Sequence, residues 1–509
     1  MHVVTGKEMG EIDRVMMESI GLSGPMLMEN AGQAVARKLL ERLQPDDRIA
    51  VLIGSGNNGG DGFVVARVLL DKGYDAEAWL IPPRTKIKGD AKVHFELFER
   101  AGFQVWEYSQ NKNGLDDRID RYTVIVDAML GTGVRGVARQ PYKEWIERVN
   151  ASGACVISVD LPSGVHADGG ELEGPVIRAD RTFTLQCPKL SALTYPSAEY
   201  YGEWELVDIG ILQTVIEKTA PLRKLWQLKD VNRSFPRRSA SSHKGSHGKG
   251  LLVAGSREMT GAAVLSAKAA LRGGAGLLAT AVPDIAHPII ASQVTEATYK
   301  ICPSENGFFS GETPFDLQYD AIAVGPGMGR EKGPLKVLET LLKEFEGPLV
   351  IDADGLFHLK ELTSVLKQRN HETILTPHPG EMARLLDVSA QEVQASRFEA
   401  AKNFAVEYGV YLVLKGPYTI VTTPEGKQFV NSTGNPALAK GGTGDVLTGL
   451  ILAFIMQHSC LQAAISNAVY LHGMAADRLV RNSHSSIDVT ATDVIEEFPA
   501  MMHELFTGK

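Results

Sequence analysis

The stretch Asn435-Pro-Ala-Leu-Ala-Lys440-Gly441-Gly442-Thr443-Gly444-Asp445-Val446-Leu447 joins a polar, glycine-rich loop to an apolar run over residues 446–456 that reads as a buried helix. Consecutive glycines let backbone N–H groups crowd toward one point, and a helix start adds partial positive charge there. Such a loop suits an anion. Asp445 works against that purpose, because it sets a carboxylate beside the anion. A base that takes a proton from a hydroxyl while a phosphoryl group arrives belongs at that place. The plainer alternative is a glycine-rich turn with an Asp capping the helix start.

Outward from this loop, the second half of the chain alternates short apolar strands with helices. Strands are expected at residues 251–254, 277–282, 319–324, 349–351, 373–375 and 410–414, and a small-residue helix at 261–271. Their C-terminal ends carry Gly325-Pro-Gly327, Asp352-Ala-Asp354, Thr376-Pro-His378-Pro-Gly380-Glu381 and Lys415-Gly416-Pro417, and a hairpin is expected around Pro424-Glu-Gly426. Strands, helices and polar strand ends in this order describe a doubly wound α/β domain. Lys415, Gly416, Pro417, Tyr418 and Thr419 could cradle a nucleotide, while Gly441, Gly442, Thr443 and Gly444 hold the transferring phosphoryl. Gly327 and His378 would shape the acceptor pocket; His378 between two prolines also reads as a turn residue. No GxxxxGK[ST] stretch is present, so this is not a Walker-type site.

The first half follows the same α/β logic. Thr5 and Glu8 have capping-box spacing, and helices are expected over residues 6–20 and 25–43. A strand at 48–53 leads into Gly54-Ser-Gly56-Asn57-Asn58-Gly59-Gly60-Asp61-Gly62, then a helix at 63–71 and a strand at 76–81. Gly54, Gly56 and Gly59 satisfy GxGxxG, with Asp75 and Glu77 about 20 residues on, but the run is richer in polar side chains than a pyrophosphate turn needs. Strands at 122–126 and 155–159 end in Asp127 and Asp160, so these loops are expected to converge at the carboxyl edge of an open parallel sheet. Asn58, Asp127 and Ser163 offer three side-chain oxygens with one carboxylate, a set suited to K+. Asp160 is then left as acid or base. Either Asp could instead cap a following helix.

At 509 residues the chain is long enough for two domains, and the change of character over residues 211–243 places the boundary near 215–225. The basic segment His243-Lys244-Gly245-Ser246-His247-Gly248-Lys249-Gly250 reads either as a phosphate-facing lid or as a solvated linker end. A net charge of −9 argues against nucleic acid or an anionic membrane as main partner. Four scattered cysteines fit a reducing compartment, neither a signal h-region nor a membrane-length apolar run is visible, and a cytoplasmic protein is expected.

The Asn57–Gly62 run, the Asp127 loop with Gly131-Thr132-Gly133, Asp160-Leu-Pro-Ser163-Gly164 and Cys187-Pro-Lys189 resemble NAD(P)H-hydrate epimerases over most of residues 1–211. The resemblance implies a Rossmann-like three-layer domain. It implies that Asn57, Asn58, Gly59, Gly60 and Asp61, with Gly131, Thr132, Gly133, Val134, Arg135, Gly136 and Val137, bind hydrated NAD(P)H (NAD(P)HX). It also implies K+ held by Asn58, Asp127 and Ser163, Asp160 near the reacting ring, and a functional Lys189.

The second half resembles the ribokinase-like ADP/ATP-dependent NAD(P)H-hydrate dehydratases over about residues 225–505. Ser242-His-Lys-Gly245, Gly325-Pro-Gly327, Leu375-Thr-Pro-His378-Pro-Gly-Glu381 and Lys440-Gly-Gly-Thr-Gly-Asp445 carry that likeness. It implies that Ala263, Gly327, His378 and Asp445 touch the substrate, and that residues 415–419 and Gly444 touch the nucleotide. Gly355 and Phe357 depart from the family pattern, which has Ala and Asn there.

Together the two resemblances imply an epimerase domain at 1–215 and a dehydratase domain at 225–509. The first would interconvert (R)- and (S)-NAD(P)HX. The second would phosphorylate and dehydrate the (S) epimer with ADP or ATP and Mg2+, releasing phosphate, and AMP if ADP is the donor. A homo-oligomer is an expectation from the family. The rival reading is a small-molecule kinase that releases a stable phosphate ester, with a non-catalytic N-terminal binding or interaction module.

Overall fold

The computed structural model describes residues 1–108, 115, 118–133, 136–220 and 222–507, which divide into two compact units, Met1–Arg223 and Lys224–Lys509. The first unit is built on seven parallel strands: β1 (Arg48–Ile53), β2 (Asp75–Leu80), β3 (Val105–Glu107), β4 (Val124–Ala128), β5 (Cys155–Val159), β6 (Arg181–Leu185) and β7 (Glu203–Val207). Their order is β3-β2-β1-β4-β5-β6-β7, so the winding reverses between β1 and β4. Parallel strands are covered on both faces, which is why Ile49 to Ile53 is an unbroken apolar run. Alternate residues serve alternate layers. Val51, Ile53 and Val126 pack with Val35 and Phe63 on one face, and Ala50, Leu52 and Ile125 pack with Trp79 and Trp145 on the other.

The expected capping box forms: Thr5 Oγ1 accepts from Glu8 N at 3.1 Å, and Glu8 Oε2 from Thr5 N at 2.8 Å. One element differs from expectation. The helix expected at 63–71 runs over Asn57–Asp71, so the glycine-rich run forms its first turns. The reason is close packing. A Cβ on Gly59 would lie 2.1 Å from Gly54 O, and one on Gly60 2.2 Å from Met28 Sδ. Glycine is chosen here to let the helix sit against the strand end, and that contact outweighs its poor helix propensity.

The second unit holds β9 (Lys249–Val253), β10 (Leu277–Pro283), β11 (Thr298–Cys302), a small antiparallel pair β12 (Ser304–Glu305) and β13 (Phe308–Phe309), β14 (Ala321–Val324), β15 (Leu349–Ile351), β16 (Thr373–Leu375), β17 (Tyr411–Leu414), β18 (Ile420–Thr422) and β19 (Gln428–Asn431); β8 (Arg223–Trp226) completes the sheet. Its order is β11-β10-β9-β14-β15-β16-β17-β18-β19-β8, parallel from β11 to β17 and antiparallel from β17 to β19, with the expected hairpin as the β18-β19 pair. The winding reverses at β9, between β10 and β14. Both faces are again buried, Leu251 and Val253 on one and Leu252 and Ala254 on the other. The expected helix at 446–456 begins earlier, as Thr443–Ile455, with Gly442 at φ 90° before it. That left-handed position suits glycine. Among the described residues no helix is long and apolar enough to cross a membrane.

Candidate functional site

In the first unit the carboxyl ends of β1, β4 and β5 open onto a cavity of about 510 Å³. Asn57, Asn58, Asp61, Gly131, Thr132, Gly133 and Asp160, all singled out in the sequence, line it. Gly59 and Gly60 stand behind that wall as packing residues, and Gly136 and Val137 are exposed outside it. Val134 and Arg135 lie outside the described residues. Glu77, placed where a dinucleotide fold carries its ribose-binding acid, accepts instead from Tyr122 Oη at 2.6 Å and Trp79 Nε1 at 2.9 Å, and pairs with Arg118. The glycine pattern there reflects packing rather than a pyrophosphate turn.

Asp160 is gripped. Buried Lys189 donates to its Oδ1, which also accepts from Leu185 N at 3.0 Å, and Lys189 Nζ donates to Leu185 O at 3.1 Å. Asp160 sits at φ 69°, a left-handed conformation that few non-glycine residues adopt. Two further carboxyls, Asp13 and Asp61, share the cavity. Burial pushes Asp61 well above the usual carboxylate range, helped by the charges of Asp160 and Asp13.

Asp127 lies wholly buried beneath this floor. Its Oδ1 accepts from Ser163 Oγ at 2.6 Å and Met129 N at 3.2 Å, and its Oδ2 from Ser163 N at 2.8 Å and Ser158 Oγ at 2.9 Å. Leu130 N donates to Ser163 Oγ at 2.9 Å, and Asn58 Nδ2 to Leu130 O at 2.9 Å. The three side chains expected to ligate K+ are therefore linked through Leu130. One carboxylate, one hydroxyl and one amide oxygen make a donor set that fits a singly charged cation.

In the second unit Gly327, Asp445, Asp354 and Glu381 line a cavity of about 480 Å³. A neighbouring cavity of about 220 Å³, lined by His378, Phe357 and Arg384, shares Arg330, Ala353 and Glu381 with it. The structure thus brings Gly327, His378 and Asp445 into one region. Ala263 is the exception: its side chain is fully buried, 3.1 Å from the Cβ position of Gly255, while the next helical face presents Ala262 to the cavity. Asp445 occupies the third position of the helix Thr443–Ile455, in the first turn. Burial pushes its carboxyl up to about 7, with buried Asp352 adding to the push and Lys415 opposing it.

Lys415 has its own partner. Its Nζ lies 2.8 Å from Asp352 Oδ1 and 3.8 Å from Glu381 Oε2, and Thr448 Oγ1 donates to Asp352 Oδ2 at 2.6 Å. Burial works against the Asp352 charge, but Lys415 and Thr448 outweigh it and hold that carboxyl below its ordinary value. His378 is both a turn residue and a pocket residue. Its Nδ1 accepts from Gly380 N at 3.0 Å and caps the helix Pro379–Leu386, its Nε2 lies 3.5 Å from Glu381 Oε1, and the residue lines the smaller cavity. The departure at Phe357 has a physical role: its ring lies between Arg330 and Arg384, whose guanidinium carbons are 4.7 Å and 3.4 Å from its centroid. Ser246 and His247 of the basic segment line a separate cavity of about 1060 Å³ that shares no residue with the Asp445 cavity.

With this geometry in hand, known proteins can be set beside the chain. It is 36% identical over 516 residues to the bifunctional NAD(P)H-hydrate repair enzyme Nnr of Moorella thermoacetica, covering 99% of this chain and 97% of that protein. The chain belongs to the bifunctional NAD(P)H-hydrate repair enzyme family. The relative from Thermofilum pendens is 35% identical, with coverage of 99% and 97%. Within the family's two-part plan, residues 24–191 match the family described as YjeF-related protein N-terminus, and residues 250–500 match NAD(P)H-hydrate dehydratase. A solved structure of the ADP/ATP-dependent NAD(P)H-hydrate dehydratase from Bacillus subtilis, co-crystallised with ATP/Mg2+, is 36% identical, with a TM-score of 0.50, covering 55% of this chain and 98% of that one. The second unit thus shares the α/β fold of that dehydratase.

Two site-building residues of this family member escaped the sequence reading. Arg397 is buried and donates to Pro417 O at 2.7 Å, Lys415 O at 3.2 Å and Leu414 O at 3.3 Å, so it fastens the 415–419 turn from inside. Asp13 was the other. Its helix reads as an ordinary amphipathic one, and only the alignment of Asp13 with the buried Met9 face could have marked it.

Proposed function

We propose that residues 1–215 epimerise NAD(P)HX and residues 225–509 dehydrate it, the two steps of NAD(P)H-hydrate repair, with Asp445 as the base of the second. The observation that carries the reading is the place of Asp445: a first-turn carboxyl, raised to about 7, on a cavity shared with Gly327 and Glu381. A base poised near neutrality is suited to accept a proton during phosphoryl transfer. Asp445 takes the proton of the C6 hydroxyl as that oxygen is phosphorylated. The ring nitrogen's lone pair then expels phosphate, and loss of the C5 proton restores the nicotinamide.

Residues 415–419, fastened by Arg397, and Gly441, Gly442, Thr443 and Gly444 would hold ADP or ATP. Among the described residues no group of three or more His, Cys, Asp or Glu is placed to hold a metal, so Mg2+ would arrive with the nucleotide and be met by Asp354 or Glu381. Asn58, Asp127 and Ser163 would hold K+, which would supply fixed positive charge under the first cavity. A cytoplasmic homo-oligomer completes the reading, the assembly checked by light scattering.

The test follows recovery of nicotinamide absorbance from a mixture of both NADHX epimers with Mg2+ and ADP or ATP in separate reactions. Conversion past the reactive epimer's share, faster than spontaneous exchange, supports both domains and names the donor. A halt at that share removes the epimerase reading. No recovery with either nucleotide removes the dehydratase reading.

A further inference from the structure

Asp160 alone is an incomplete acid–base apparatus. NAD(P)HX carries its hydroxyl on C6 beside the ring nitrogen, and hydroxide leaves poorly unless a proton reaches it. Asp160, with its Oδ1 bonded to Lys189 and to Leu185 N, can serve one side of the exchange, and loss and gain of water on opposite faces of the ring call for a second group. Something else in the cavity has to be the donor.

Asp13 is placed for that work. It stands near the end of the helix Gly6–Val15, one residue after buried Ile12. Neighbouring Glu11 and Arg14 pair with each other at 2.6 Å on the exposed side, whereas Asp13 lines the cavity with Asp61, Asp160 and Lys189. The groups that face it are Asp61 from the helix Asn57–Asp71, Asp160 from the end of β5, Tyr142 from the helix Tyr142–Ala151, and Cys187 and Lys189 from the segment after β6. Burial pushes Asp13 up to about 6, against the pull of the Lys189 ammonium and with the push of the Asp160 charge. Asp61 is the other raised acid, but it is 7% exposed and set within a helix packed on its neighbours, so it is poorly placed to recover a proton from solvent. Asp13 is half-buried and keeps that route.

We propose that Asp13 is the catalytic proton donor of the epimerase, acting with Asp160 as the base; this rests on the epimerase reading above. The Asp13 carboxylic acid gives its proton to the C6 hydroxyl. The C6–O bond breaks with its electron pair on oxygen, which leaves as water, while the N1 lone pair forms an N1=C6 bond. A water then adds to the opposite face of C6 and passes a proton to the Asp160 carboxylate, and the N1=C6 pair returns to nitrogen. One water has left, one has entered, and one proton has moved from Asp13 to Asp160. The reverse epimerisation, or exchange with solvent, resets the pair.

The test uses the full chain without nucleotide and measures epimer exchange above the spontaneous rate across pH. The wild type should lose exchange as pH rises through about 6, because the acid form of Asp13 is consumed there. Asp13→Asn should lower exchange by about 10²-fold or more and lose that pH limb, whereas Asp13→Glu should keep the limb with reduced rate. Thermal unfolding followed by circular dichroism, with the transition of the first unit kept, reports that each variant is folded. Exchange by Asp13→Asn within about threefold of wild type, or a surviving limb, would overturn the role of Asp13 and leave the epimerase reading intact. If Asp13→Asn does not fold, a wild type without the limb overturns it equally. No exchange by the wild type at all would instead remove the epimerase reading itself.

Discussion

Each unit sets a lysine against a buried aspartate at its site, and the two pairs differ in where they stand. Lys189 grips Asp160, which itself lines the first cavity. Lys415 grips Asp352, one layer behind, and leaves Asp445 at the cavity with its carboxyl raised to about 7. The same ion pair therefore serves two ends. Direct contact fixes a carboxylate in place. A pair set one layer back keeps its own carboxylate charged, and that charge pushes the front carboxyl toward neutrality. The difference teaches where to look for mobile protons: at Asp445 in one unit, and at Asp13 rather than Asp160 in the other.

The comparison breaks most decisively at Asp445. Asp445→Asn should lower the dehydration rate by about 10²–10⁴-fold with nucleotide affinity kept, read by steady-state kinetics beside equilibrium binding. In the wild type, dehydration should fall as pH drops below about 7, since the base form is lost there. Near-normal turnover by the variant would sink its role as base.

Removing each lysine sharpens the contrast. Lys189→Met and Lys415→Met each strand a buried carboxylate and should cost about 3–5 kcal/mol in denaturant unfolding. Their functional signatures should differ. Lys415→Met removes the charge that opposes the rise at Asp445, so the dehydration limb should move to higher pH. Lys189→Met frees Asp160 itself, and no pH should restore epimer exchange.

A smaller effect concerns stability and pH. Asp445 has a folded value of about 7, above the unfolded carboxylate value of about 3.9, so the folded chain holds its proton longer. Its contribution is fully present below the unfolded value and is lost as pH rises through about 7. Asp445→Asn should therefore raise the melting temperature relative to wild type at pH 8, with the gain vanishing in acid. An equal gain at both pH values would show that the raised carboxyl is not the cause.

The weakest contrast lies between the glycines. Gly59→Ala forces a methyl against Gly54 O and should cost about 1–3 kcal/mol in unfolding experiments. Gly441, whose Cβ position meets nothing within 4 Å, should accept Ala within about 0.5 kcal/mol. Any loss there should appear in nucleotide affinity alone.

Much of this was legible in the chain. Largely apolar runs ending in Gly or Asp located β1, β5 and β15, because strands covered on both faces have to read that way. Asn57, Asn58, Asp61, Asp160, Gly327, His378 and Asp445 were marked by the motifs they sit in, and all line cavities. What was hidden depends on neighbours distant in sequence. The helical start at Asn57 follows from contacts with Gly54 and Met28, which propensity does not contain. Arg397 and Asp13 carry no motif; each gains its meaning only when the fold encloses a charge that would ordinarily face water.

The knot around Asp127 has a further consequence. The amides of Met129, Leu130 and Ser163 lie in loops, where backbone hydrogens normally trade places with solvent quickly, yet each is committed to a buried oxygen. In deuterium-labelling experiments these loop amides should exchange as slowly as strand amides, with or without substrate. A floor already ordered in the free protein spares the ligand the conformational entropy of arranging it, so the affinity of the first cavity should reflect contacts made rather than loops tamed.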